Sequence, residues 1–313
     1  MAVVPEARTS VAREGERDPR RPPPTRSRTL LRVAWPMVLL LSTVPAIAVS
    51  ELTGSVPAWL PVAQVAVAAG LLLATLVVPA VRPLRDVAVV MLALIVLLQA
   101  LPRVDLTLGP LQAVFGGTAF DERMQAEQTA KLVLTLLMIG VLLLLGYRRR
   151  EFFLARGHLR APIRPVRVLG FPHPDPWSRF GGQWGLYVAA GLGVVLLLSS
   201  RPTGAQLASV LPMVPSILFY AALNAFHEEM TYRAPMLATL EPVLGSTQGV
   251  WMAAVLFGTA HYYGMGLVGA VLSVFMGWLL GKAMVETRGL FWAWWIHFLS
   301  DVVIFTVIAV TLL

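Results

Sequence analysis

Cysteine is absent from this chain. Its absence excludes disulfides, thiolate metal sites and a cysteine nucleophile. Charge is also scarce: Asp, Glu, Lys and Arg make up 13% of the 313 residues, against roughly 25% in a soluble domain. Apolar residues fill the difference, at 57% with a mean hydropathy of +0.72. The balance favours a polytopic membrane protein over a soluble globular one. The net charge of +8 does not argue for nucleic acid, because the arginines flank apolar runs instead of forming one basic face.

The chain is otherwise a succession of apolar stretches. Residues 1–29 carry seven arginines and the run Pro22 to Pro24 without apolar periodicity, which reads as a disordered basic tail. That tail is too long, and the apolar stretch after it too extended, for a cleaved signal peptide. Nine segments approach the roughly 20 residues needed to span hydrocarbon: near 30–50, 58–80, 85–102, 130–147, 184–200, 207–227 (continuing toward 239), 248–263, 267–284 and 289–312. The expected fold is therefore an all-α transmembrane bundle, with eight spans if one early segment is only interfacial. The segment from Arg148 to Gln183 carries seven arginines between 148 and 167 and five prolines, and reads as a cytoplasmic linker. It separates a four-helix region, 30–147, from a second membrane domain, 184–313. The arginine distribution puts the N-terminus in the cytoplasm with the linker, Arg82, Arg85, Lys282 and Arg288, and puts Glu51 and the acids Asp105, Asp121, Glu122 and Glu127, balanced by Arg103 and Arg123, on the other side.

Polar chemistry concentrates in the second domain, and the first four helices are expected to hold almost no buried ionisable group. Three later helices carry acid or histidine: His227, Glu228, Glu229 and Arg233 on one, His261 on the next, His297 and Asp301 on the last. Such groups are costly inside a membrane and mark functional sites by default. Glu229 and Arg233 are four apart and share a helix face, while Glu228 points about 100° away. Phe257 with His261, and His297 with Asp301, have the same four-residue spacing. An Asp so placed can orient an imidazole. His297 lies roughly 12 Å in from a helix start near Gly289, His261 roughly 20 Å from one near Thr247, and Glu228 roughly 16 Å from an end near Thr239. One polar layer is compatible with these depths. His227 has no specific partner and reads as a structural residue.

Glu228-Glu229-x-x-x-Arg233, Phe257-x-x-x-His261 and His297-x-x-x-Asp301, in this order, resemble the three motifs of the CPBP intramembrane proteases. These include Ras-converting CAAX endopeptidases and bacteriocin-processing or self-immunity proteins. The resemblance covers about residues 184–312 and implies an intramembrane endopeptidase acting on a membrane-associated protein or peptide. It implies Glu228 as general base assisted by His261, His297 with Asp301 at the oxyanion or a cation, and Glu229, Arg233 and Phe257 as structural or substrate-positioning residues. The family is described both as metal-dependent and as glutamate-based. Zinc on Glu228, His261 and His297 and a metal-free site both stay open, although H-E-x-x-H spacing is absent. The last family motif usually ends in Asn, whereas the ionised Asp301 can accept a hydrogen bond but not donate one. The expected setting is a bacterial plasma membrane, a bias that the Arg-rich basic residues share, with lipid and a peptide substrate as partners. A noncatalytic scaffold or self-immunity protein of the same fold is the alternative. A proton or cation transporter is disfavoured by the lack of an internal repeat.

Overall fold

With no water in hydrocarbon, backbone N–H and C=O groups must pair within their own segment, so each apolar stretch becomes a helix. The computed structural model describes residues 27–101 and 117–312. The basic tail up to residue 26, and Arg103 and Asp105, lie outside the described residues. The first helices are α1 (Arg28–Leu41), α2 (Val44–Thr53), α3 (Trp59–Val77), α4 (Arg85–Ala100) and α5 (Ala119–Leu144). After the linker come α6 (Trp177–Ser200), the short α7 (Gly204–Val210), α8 (Val214–Glu228), a π-helical turn (Glu229–Arg233), α9 (Ala234–Leu244), α10 (Ser246–Ala260), α11 (Tyr262–Thr287) and α12 (Phe291–Thr311). There is no strand among the described residues.

Every one of the nine apolar stretches contains a helix, but eight or nine spans are not reached. Six described helical stretches are long and apolar enough to cross a membrane, or seven if α1 and α2, bent by 54°, form one span. The two that fall short are α4, with 16 residues, and α10, with 15. Outward-facing Leu73 and Leu76 on α3, Val194 and Leu198 on α6, and Leu267, Val268 and Val271 on α11 are exposed, as a lipid-contacting surface requires. This is a multi-pass membrane protein.

One buried cluster runs from Met37 of α1 through Met91 and Leu94 of α4 to Leu240, Met252, Leu280 and Ile296 of α9 to α12. The helices before and after the linker thus share a core. The linker is packed as a strap, with Phe152, Phe153 and Trp177 buried and backbone pairing of Ile163 N–H with Asp175 O and Trp177 N–H with Ala161 O. Lys282 donates to Arg164 O at 3.0 Å, and Arg288 makes a two-pronged pair with Glu241. Lys282 and the arginine-rich linker, assigned by charge to one side, therefore meet at one end of the bundle.

Two local devices set the site. The first is the π turn, where Ala234 N–H reaches back to Glu229 O. Pro235 follows directly and has no N–H, and its ring would clash with the carbonyl four residues earlier in an α-helix. A wider turn relieves that clash while the helix continues to Leu244. The second is the antiparallel hairpin of α10 and α11. A Cβ on Gly258 would lie 2.5 Å from Val274 N, and one on Gly277 would lie 2.8 Å from Ala254 Cα, so glycine lets the two backbones meet. Gly258→Ala is expected to cost about 1–3 kcal/mol through overpacking, read as a lowered melting temperature in detergent. Gly264→Ala, where a Cβ meets nothing within 4 Å, should melt with the parent.

Candidate active site

Glu228 closes α8, His261 follows the last residue of α10, and His297 and Asp301 lie on the first half of α12. Their depths, measured from the strap end of each helix, differ: about 24 Å for Glu228, about 22 Å for His261 and about 9 Å for His297. They still meet, because α12 starts inside the bundle. Its entry is pinned beneath the strap by Leu290 N–H donating to Ala155 O at 2.8 Å and by backbone contact between Gly157 and Gly289.

Glu228 Oε2 lies 3.7 Å from His261 Nε2 and 3.6 Å from His297 Nε2. These distances exceed a direct hydrogen bond and suit groups that share a water. The Glu228 side chain is 12% exposed and that of His261 30%, so the layer is accessible. Both imidazoles are held by their other nitrogen. His261 Nδ1 is 2.9 Å from Phe257 O. A carbonyl only accepts, so Nδ1–H donates and Nε2 is the ring nitrogen turned to the site. His261 itself has φ −90° and ψ 0°, the sparsely populated bridge region in which active-site residues recur.

His297 Nδ1 is 2.8 Å from Glu229 Oε1. The same oxygen accepts from Arg233 Nη1, and both Glu229 and Arg233 are completely buried. The Arg233 guanidinium lies 4.2 Å from the Phe257 ring centroid, a cation–π contact. That ring also sits 4.4 Å from the His261 ring and edge-on to His297 at 5.9 Å. Phe257 therefore touches three members of the cluster, and Glu229 aims one imidazole while Arg233 balances its charge. His227 points elsewhere, its Nδ1 3.2 Å from Thr135 Oγ1.

The first four apolar stretches were expected to hold almost no buried ionisable group, and Lys131 on α5, the helix of the fourth stretch, is an exception that reaches the site. Its Nζ donates to Glu228 Oε1 at 3.0 Å and also to Asn224 Oδ1. Asn224, one turn before Glu228, donates from Nδ2 to Glu228 Oε1 at 3.3 Å and to Asp301 Oδ2 at 2.9 Å, and accepts from Gln128 Nε2. Gln128, Lys131 and Thr135 recur at helical spacing, which puts them on the α5 face toward α8. That polar stripe was the available signal. Asp301 Oδ1 is 3.7 Å from His297 Nε2.

The family comparison reaches this same part of the chain. Residues 209–303 match the Rce1-like type II CAAX prenyl endopeptidases. The Rce1-like segment holds Glu228, His261, His297 and Asp301, and excludes Lys131. No curated protein and no solved structure gives a significant match to the chain.

A cleft of about 490 Å³ is lined by Arg149, Leu154, Arg156, Phe226, Phe291 and Trp294, among others. Phe226, Phe291 and Trp294 of this lining belong to the Rce1-like segment, Phe226 two residues before Glu228 and Trp294 three before His297. As for metal, the described residues contain no group of three His, Cys, Asp or Glu side chains arranged to hold an ion. Glu228 Oε1 is instead held by an ammonium. Away from the spans, the hydrogen bond from Tyr262 to the Glu51 carboxylate pushes the Tyr262 hydroxyl pKa up and ties α2 to the segment after His261.

Proposed function

We propose that this protein hydrolyses a peptide bond in a membrane-associated protein or peptide of CAAX type, with Glu228 as general base. The observation that carries the reading is the approach of one Glu228 oxygen to two oriented imidazole nitrogens at 3.6 and 3.7 Å inside a segment of CAAX-endopeptidase type. A water held by these three groups gives a proton to Glu228 Oε2 while its oxygen bonds to the scissile carbonyl carbon and the π pair moves onto the carbonyl oxygen. His261 Nε2 accepts the second water hydrogen and orients the attack. In this reading His297 acts as an imidazolium, its Nδ1–H on Glu229 and its Nε2–H, faced by Glu228 and Asp301, donating to the oxyanion. When the intermediate collapses, the C–N bond breaks, the proton passes from Glu228 to the leaving amine, and the carboxylate is restored. The cleft is the proposed entry for a peptide end: its aromatic and aliphatic walls suit an apolar substrate, and Arg149 and Arg156 suit a terminal carboxylate.

The test is cleavage by the detergent-purified protein of a fluorogenic peptide ending in a prenylated CAAX sequence, compared with its unprenylated form. His261→Ala should lower the rate roughly 100-fold or more, as loss of a proton-handling group does. The reaction is proposed to need no metal, so 1,10-phenanthroline and EDTA should leave the rate within about twofold, whereas a metal-bound water would be lost with its ion. Strong inhibition restored by added zinc would refute that part. One observation favours the noncatalytic scaffold instead: the Glu228 charge is already paired with Lys131. No cleavage of either peptide by the folded wild type would support that second reading.

A further inference from the structure

We propose that Lys131, contributed by α5 from outside the Rce1-like segment, is a positioning residue that fixes Glu228 and is coupled through Asn224 to Asp301. The inference rests on the hydrolytic reading above and adds a residue to it. Lys131 Nζ and Asn224 Nδ2 both engage Oε1 of Glu228. With that oxygen held, the carboxylate plane is set and Oε2 is left between His261 and His297. The amide of Asn224 is fully used, because its oxygen accepts from Lys131 and Gln128 while its nitrogen donates to Glu228 and Asp301. A full set of four bonds fixes its rotamer and makes it a rigid bridge between the two carboxylates.

Charge balance gives a second, independent reason. The layer holds three carboxylates, Glu228, Glu229 and Asp301, of which Glu229 and Asp301 are buried and Glu228 is largely so. Arg233 is committed to Glu229. Lys131 is then the only permanent cation among the described residues paired with Glu228, and Asp301 lies one amide away from that pair. Without Lys131, Glu228 and Asp301 would face each other through Asn224 with only imidazoles to offset them, which disfavours the ionised base. An Asp at position 301 therefore requires a cation here, and α5 supplies it. The Lys131 side chain is also 36% exposed, so the amine can be lost without leaving a sealed void.

The proposal is tested on full-length protein in detergent with the fluorogenic prenylated CAAX peptide. Lys131→Met should lower kcat about 100-fold with KM changed less than about threefold, because the residue acts on the base and not on substrate binding. Lys131→Arg should recover at least tenfold of that loss. Lys131→Met with Asp301→Asn should exceed Lys131→Met alone by at least tenfold, since removing the second carboxylate restores the balance. A purely structural lysine would not be rescued by changing the charge at 301. Full kcat in a folded Lys131→Met protein, or a double variant no better than the single, overturns the inference; if Glu228→Gln is inactive in the same preparation, the hydrolytic reading survives that result. Melting temperatures supply a readout without turnover: the effects of Lys131→Met and Glu228→Gln should be non-additive in the double variant, and strict additivity overturns the pairing.

Discussion

Glu228→Gln is expected to abolish cleavage, by roughly 100- to 10,000-fold or to the limit of detection, as removal of a general base does. The amide keeps the shape of the carboxylate and can still accept from Lys131 on one side, so the variant should still insert and fold. What it loses is the capacity to take a proton from a water shared with His261 and His297. The neighbouring acid offers no substitute. Glu229 is buried, tied to Arg233 and His297, and has no route to the water. Retention of full activity by Glu228→Gln would remove the hydrolytic reading.

The second large effect is on stability. Arg233→Met leaves the carboxylate of Glu229 in a fully buried position with His297 as its remaining polar partner. Breaking a buried pair by removing one member costs about 3–5 kcal/mol, because the other charge stays behind without compensation. The paired replacement Glu229→Gln with Arg233→Met should regain most of that loss, since two neutral side chains need no counter-charge. It should not regain activity, because His297 Nδ1 would then meet an amide in place of a carboxylate and lose its fixed orientation. Thermal melting in detergent alongside the cleavage assay separates the two consequences. A single Arg233→Met variant as stable as the parent would show that the pair is not the anchor described here.

Much of this arrangement was legible in the residues. The nine apolar stretches each hold a helix, and the two adjacent acids, the two histidines and Phe257 come together as their spacing suggested. Other features were hidden for physical reasons. Helix α5 begins at Ala119, eleven residues before the apolar stretch does, because its first three turns are amphipathic: Glu122, Arg123 and Glu127 face outward while Phe120, Met124 and Gln128 are buried. Hydropathy registers such a segment as a loop. Lys131 consequently fell at the edge of the apolar run, where a lysine reads as a flanking charge. Asn224 carries no charge and made no motif. The π turn left no periodic trace, and Pro235 beside it indicated a disturbance without its form. The depth of Glu228 was underestimated, since the helix runs past Pro235 to Leu244 and does not end near Thr239.

The ion pair between Lys131 and Glu228 has a consequence for how such a protein can be divided or compared. The family match runs along a contiguous piece of chain, residues 209–303, whereas the charge balance proposed here is assembled across it. A graft of that piece into another membrane scaffold would carry the acids and the imidazoles and leave the amine behind. Homologues with a neutral side chain at the position of Asp301 would not need that amine, and those with an acid there would have to find one elsewhere. Position 131 and position 301 are thus two ends of one constraint, and a change at either is best interpreted together with the other.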